Sequence, residues 1–344
     1  MSTPKVIKKE EWLNVLNGLR KSYKVFVPVK DGDIHLFKEL KEGVKANFDY
    51  SNTRLSPKGI VYPQSERMFE CPLEEGNEGA FILKESPKDF SPQVVVGIRP
   101  CDAHGFLIVK RNFDNPQYQD PWWVQRYQAT TFIGLGCNEP CPTCFCNAVG
   151  DGPFGEQGLD IIMYDVSDSY VLKPVSERGK DLLSDLGGRD ASGDEIKAAE
   201  DLKASATKKM STSFNIEPLR SKTQLELFNA PYWEDVAFAC INCGTCTYLC
   251  PTCWCFDIQD EVYKKYCDRI RNWDSCMFPL FTLHGSGHNP RDKKFQRVRQ
   301  RFMHKLKYYV DKYGNGVQCS GCGRCVRYCP VNIDIREVCK LMCM

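Results

Sequence analysis

CINCGTCTYLCP, residues 240–251, and CSGCGRCVRYCP, residues 319–330, each set four cysteines in the order C-x2-C-x2-C-x3-C ahead of a proline. That run holds [4Fe-4S] clusters: three closely spaced thiolates wrap one cage and the fourth, turned away beyond a longer gap, reaches the sister cage. The pattern pairs Cys240, Cys243 and Cys246 with Cys329, and Cys319, Cys322 and Cys325 with Cys250. Zinc modules instead separate two C-x2-C pairs by a dozen or more residues, and here three cysteines fall within seven. The two runs agree at six of twelve positions, which marks them as halves of an internal duplication.

Composition fits a protein that keeps its thiols for metal. There are 20 cysteines in 344 residues, but the opening MSTPKVIKKEEW has no apolar core of a secretory signal, so a reducing, cytoplasmic setting is expected. Apolar runs such as Val94 to Ile98 are too short to span a bilayer. A net charge of +2 supplies no general attraction for nucleic acid.

Away from the runs, the chain divides in two. Ile7, Leu13, Leu16 and Leu19 recur near helical spacing, and KVFVPV, Asp31-Gly32 and DIHLF read as a strand pair. VVVGIR (94–99) and TTFIGLG (130–136), separated by AHGFLIVKRNF, read as neighbouring parallel strands with a crossover helix. LDIIMYDV and SYVLKPV continue the sheet, and SERGKDLLSDLG is a Ser-capped helix stopping at glycine. A charged, alanine-rich helix over 194–210 and the polar STSFNIEPLRSK place a boundary near residue 225. The expectation is an α/β domain over 1–225 and a ferredoxin-like dicluster domain over 226–344. The latter is expected to be α+β, mostly helical, with an insertion between its two motifs.

RPCD puts Cys101 directly after VVVGIR, and GCNEPCPTCFC puts Cys137 after TTFIGLG with Cys141, Cys144 and Cys146 in the loop beyond. Open α/β sheets hold ligands at the carboxyl ends of their strands, so these thiols converge on one object. The reading is a third [4Fe-4S] cluster on Cys101, Cys137, Cys144 and Cys146, with Cys141 a fifth candidate and a zinc site or buried thiols as alternatives.

RPCD, Cys137-x6-Cys144-Phe145-Cys146 with its GDGP, CINCGTCTYLCPTCWC, WDSC (273–276), GHNPR, His304-Lys305 and CSGCGRCVRYCP together resemble one family along nearly the whole chain. It comprises the iron-sulfur subunit of anaerobic sulfite reductase and the beta subunit of sulfhydrogenase-type cytosolic NiFe hydrogenases, both of which transfer electrons. The family pattern has no cysteine at the position of Cys141, which favours the four ligands above. The resemblance implies a non-catalytic relay between a flavin/NAD(P)-binding subunit and a catalytic oxidoreductase subunit that reduces sulfite or handles hydrogen.

Other features carry less. Cys253 and Cys255 with Cys267 and Cys276 suggest a fourth cluster or buried small side chains, and are left out of the site. Cys71, Cys339 and Cys343 lack metal spacing. Asp102 and His104 beside Cys101 read as hydrogen-bonding neighbours of the cluster or as local caps. His284 and His288 flank GSG, which argues against a zinc-binding helix. Eight Lys and Arg between Arg291 and Lys307, over the stripe Phe295, Val298, Phe302, Leu306 and Tyr309, make a basic amphipathic helix. Its basic face is solvated, docks an acidic partner, or offsets cluster charge. No G-x-G-x-x-G fingerprint, Ser/His/Asp set or paired carboxylate motif stands out. A reductase with its own flavin or substrate pocket in the α/β domain, and a non-redox zinc scaffold, are the competing functions.

Overall fold

VVVGIR and TTFIGLG occupy the middle of an eight-stranded sheet. In chain order the strands are β1 (Lys5–Lys8), β2 (Lys24–Asp31), β3 (Ile34–Glu39), β4 (Ser65–Pro72), β5 (Lys84–Glu85), β6 (Gln93–Ile98), β7 (Thr130–Leu135), β8 (Ile161–Val166), β9 (Ser169–Pro174), β10 (Arg189–Asp190), β11 (Phe256–Tyr263) and β12 (Tyr266–Trp273). The large sheet runs β10-β1-β9-β8-β7-β6-β2-β3, with β2, β6, β7 and β8 parallel. This computed structural model describes residues 3–210 and 214–344; the first three residues of the polar stretch read as a linker lie outside them.

Every residue of β6 and β7 is buried, as central parallel strands with both faces covered require. Val94, Val96, Ile133, Leu135, Ile161 and Met163 face the helices Lys9–Leu19 and Glu177–Leu186 through Trp12, Leu16, Leu182 and Leu183. Val95, Phe132 and Ile162 face the other way, onto Phe106, Val109, Phe113 and Trp123 of the helices Pro100–Phe113 and Pro121–Gln128. Each such aliphatic or aromatic side chain removed from water contributes about 1.5–3 kcal/mol. The expected strand pair is β2–β3 and the expected crossover helix is Pro100–Phe113. The first periodic segment splits, because Ile7 lies in β1 and only Lys9–Leu19 is helical, leaving Leu13 exposed.

In the large sheet alternation breaks in β6, to the benefit of the site. Register shifts between Val96 and Ile98, where Gly97 adopts φ +85°, and Ile98 joins the face of Val95. A slip of one residue swaps the faces of the strand from that point on, so Arg99 turns into the sheet's end and Nη1 donates to Leu135 O (3.1 Å) and Gly136 O (2.7 Å).

The expectation of a mostly helical C-terminal region is corrected. Within the insertion, β11 and β12 form a full antiparallel hairpin, and β12 pairs with β4 to make a four-stranded sheet β11-β12-β4-β5. Alternation of Phe256, Ile258 and Val262 with polar residues, and a two-residue Lys264-Lys265 turn with Lys264 at φ +53°, produce the hairpin. Arg271, buried in β12, pairs with Glu66 and Asp120 and ties this sheet to the helix Pro121–Gln128. In a third core, Trp233, Met277, Val298, Phe302, Leu306, Ile335 and Val338 surround the two cysteine runs.

Candidate iron-sulfur centres

Tight loops with left-handed glycines build the two runs: Gly244 lies at φ +74°, Gly321 at +68° and Gly323 at +72°. Cys240, Cys243, Cys246 and Cys329 line one cavity closed by Met277, Val298, Phe302 and Ile335. Backbone amides of Asn242 and Ile333 point at Cys240 Sγ (3.4 Å) and Cys329 Sγ (3.2 Å), donors that favour thiolate. Cys243 is the exposed member.

Cys250 crosses from the first run to the second, where its sulfur acts electrostatically on Cys319, Cys322 and Cys325. Cys325 also lines the first cavity, so it stands between the two sets. Lys305 Nζ, on a chain 1 % exposed, donates to Cys250 Sγ (3.3 Å), Thr252 Oγ1 (2.8 Å) and Gln318 O (3.2 Å). Burial alone would lower its pKa, but the Cys250, Cys253 and Cys319 sulfurs outweigh burial and hold it up. Burial pushes Cys246 up to about 11 and Cys319 up to about 12, so these thiols ionise only with a cation or metal at hand.

Cys101, Cys137, Cys141, Cys144 and Cys146 all line one further cavity, at the ends of β6 and β7. Cys101 opens the helix Pro100–Phe113, and burial raises its thiol well above the usual range. Burial likewise lifts Cys137 to about 11, against the pull of Arg99. Cys141 is engaged by the Arg327 guanidinium. Asp102 caps nothing; its carboxylate takes two bonds from Arg324 (2.6 and 2.7 Å), both side chains being 1 % exposed. Arg324 also donates to Asn52 and to Thr53 O (2.9 Å). His104 Nδ1 lies 3.2 Å from Asp151 Oδ2.

The second run presses on this last set. Phe145 N donates to Gly321 O (2.8 Å), and a Cβ on Gly321 would lie 2.5 Å from the Cys146 backbone. Cys322 acts electrostatically on Cys101, and Cys325 lines the cavity of Cys240, Cys243, Cys246 and Cys329, so the Cys319–Cys325 set adjoins both of the others.

Of the readings given to the basic helix, a counter-charge to the thiol sets describes two of its cations, whereas Lys58 and Arg324 gave no sequence signal. Arg301 and Lys305 of the basic helix turn inward, and Arg301 is held charged despite its burial by Cys246, Cys325, Cys253 and Cys250. Lys58, on the short 3-10 turn Pro57–Ile60, which has no cysteine, reaches the same place. Hydrophobic periodicity around Val298 and Phe302 was the available signal, since it leaves Arg301 and Lys305 on the flank of the buried stripe.

The remaining cysteines sort themselves by place. Cys267 faces Cys71 across β12 and β4, and Cys339 contacts Cys343 along the last helix. Cys253, Cys255 and Cys276 gather beside Cys250. His284 and His288 sit on a turn, rings 5.4 Å apart. No helix among the described residues is long and apolar enough to cross a membrane.

Cysteine loops of this spacing, folded around buried cations, define an iron-sulfur electron-transfer protein. Residues 239–333 match the 4Fe-4S dicluster domain. Sulfhydrogenase 2 subunit beta of Pyrococcus furiosus is 30% identical over 331 residues, 92% of each chain. The chain belongs to this sulfhydrogenase beta-subunit family of iron-sulfur oxidoreductase subunits. No solved structure matches it.

Proposed function

We propose that this chain is a relay subunit holding three [4Fe-4S] clusters, on Cys240, Cys243, Cys246 and Cys329; on Cys250, Cys319, Cys322 and Cys325; and on Cys101, Cys137, Cys144 and Cys146. The observation that carries the reading is that the Cys319–Cys325 set adjoins both the Cys101–Cys146 set and the set that includes the exposed Cys243. A [4Fe-4S] cluster supplies one-electron storage at a potential set by its surroundings. Arg301, Lys305 and Arg324 would offset the anionic charge of thiolates and sulfide, while Met277, Val298, Phe302 and Ile335 keep water from the set nearest the surface. Cys141, held by Arg327, stays outside the ligand set.

The chain is read as two domains, 1–225 and 226–344, working in the cytoplasm between a flavin/NAD(P)-binding subunit and a catalytic partner of hydrogenase or sulfite reductase type. That the relative is named as a subunit of a sulfhydrogenase supports partners of this kind. Anaerobic preparation should give about four irons and four sulfides per cluster, bleached by dithionite. Cys329→Ser and Cys137→Ser should each remove one cluster's signal and leave the others. Zinc without acid-labile sulfide would end this reading in favour of a scaffold.

A second reading has one observation behind it. A cleft of about 800 Å³ opens beside Cys137, lined by Lys9, Phe48, Tyr50, Arg99, Asp165 and Tyr170, and is roomy enough for a flavin or substrate. A yellow chromophore released from the purified single chain would support it.

A further inference from the structure

The three-cluster reading leaves over Cys253, Cys255 and Cys276, and the fold assembles them. The hairpin closes at Phe256 opposite Trp273, and Asp274 N donates to Cys255 O (2.9 Å), which sets Cys255 and Cys276 on facing ends with their thiols in contact. Cys253 follows the turn from Cys250, and its sulfur acts on both. A buried Thr247–Ser275 hydrogen bond (2.8 Å), with Met277 N donating to Ser275 Oγ (3.1 Å), fixes the loop that carries Cys276.

A second, independent observation points to a ligand. Lys58 is 5 % exposed and lies over the Trp273 ring (4.1 Å), its Nζ donating to Cys253 O (3.0 Å) and Thr247 O (3.4 Å). Among the described residues no carboxylate pairs with it; the groups that act on it in favour of its charge are the sulfurs of Cys253, Cys250 and Cys255. With two carbonyl oxygens and these sulfurs as its surroundings, the buried Nζ is placed to offset negative charge held at the sulfurs. Sequence adds a parallel: Cys250-Pro-Thr-Cys253-Trp-Cys255 repeats Cys141-Pro-Thr-Cys144-Phe-Cys146, in which the last two cysteines are read as cluster ligands.

We propose that Cys253, Cys255 and Cys276 hold a fourth [4Fe-4S] cluster, a branch beside the Cys250 set, with Lys58 as its counter-charge. Its fourth iron has no protein thiolate and takes a small oxygen or sulfur ligand from solution. Cys267, opposite Cys71 in the sheet, is not part of it.

An open iron gives the test its signature. Under ferricyanide, a cubane of two ferric and two ferrous irons releases one ferrous ion and passes one electron to the oxidant, leaving a [3Fe-4S] cage of three ferric irons. The full chain, prepared anaerobically, should then show the near-isotropic EPR signal of that cage. Cys276→Ser and Cys255→Ser should lose the signal and about four irons per chain while the dithionite-reduced signals of the other clusters persist. Cys267→Ser should match wild type, and Lys58→Met should retain the iron while shifting the cluster's potential. Loss is read against wild type, so the third cluster's presence or absence does not decide the result. Iron and signal unchanged in Cys276→Ser, or one zinc lost in place of iron, would overturn the proposal. Absence of the [3Fe-4S] signal from the wild-type chain overturns it without any variant, whether or not the variants fold.

Discussion

Cysteines at 240–329 and those at 101–146 reach their positions by different routes. In the first region the spacing itself shapes the loop: left-handed glycines follow the second cysteine of each run, and backbone amides aim at the sulfurs from neighbouring residues. In the second, β6 and β7 deliver Cys101 and Cys137 from strands aligned by sheet pairing, and the loop carrying Cys144 and Cys146 is clamped from outside by Gly321 and Gly323. Local chemistry specifies one region; the other is specified by what packs on it. Damage to the contact between them should therefore fall unequally.

The largest effect is expected at Arg324. It joins the second run to Asp102, Asn52 and Thr53 by five hydrogen bonds with almost no solvent contact. Arg324→Met strands the Asp102 carboxylate and should cost about 3–5 kcal/mol, whereas Arg324→Met with Asp102→Leu should recover much of it. A denaturant midpoint series on the anaerobic chain measures both. Near-equal losses in the single and double variants would mean that the two regions are not joined through this pair.

Gly321→Ala comes next. A methyl group there meets Cys146 N and Cα at 2.5 Å, atoms of backbone that cannot swing aside, and the left-handed conformation adds strain. Together these should cost about 2–4 kcal/mol. Iron loss should fall first on the Cys101–Cys146 set, because its loop must yield. Selective loss from Cys240, Cys243, Cys246 and Cys329 instead would break the asymmetry between the two regions.

Legibility in the sequence divides along the same line. Cys240 to Cys250 and Cys319 to Cys329 could be read because their geometry is written in residue spacing, and Cys101 and Cys137 because each ends an apolar strand run. Strands β6 to β9 and the capped helices Glu177–Leu186 and Gly193–Lys208 were legible for the same local reason. The insertion misled. Phe256, Ile258 and Val262 alternate, yet β11 is exposed and polar, so its period-two signal competed with a longer helical pattern over residues 293–313. Pairing of β12 with β4, nearly 200 positions away in the chain, has no local trace, and neither has the approach of Lys58 to Cys253. Buried charge belongs to the tertiary structure, since a lysine in a loop reads as solvated until its neighbours are known.

The smallest expected effect isolates strain from packing. Gly150, at φ +84°, ends the short turn Cys146–Val149 just as Gly321 turns the second run, but a Cβ there meets nothing within 4 Å. Gly150→Ala therefore carries only the left-handed conformational cost, about 1 kcal/mol. It should shift the denaturant midpoint slightly and leave iron content at the wild-type value. If Gly150→Ala instead strips iron as Gly321→Ala does, then the loop 137–150 is limited by its own backbone strain, and the clamp from the second run is not what holds Cys144 and Cys146 in place.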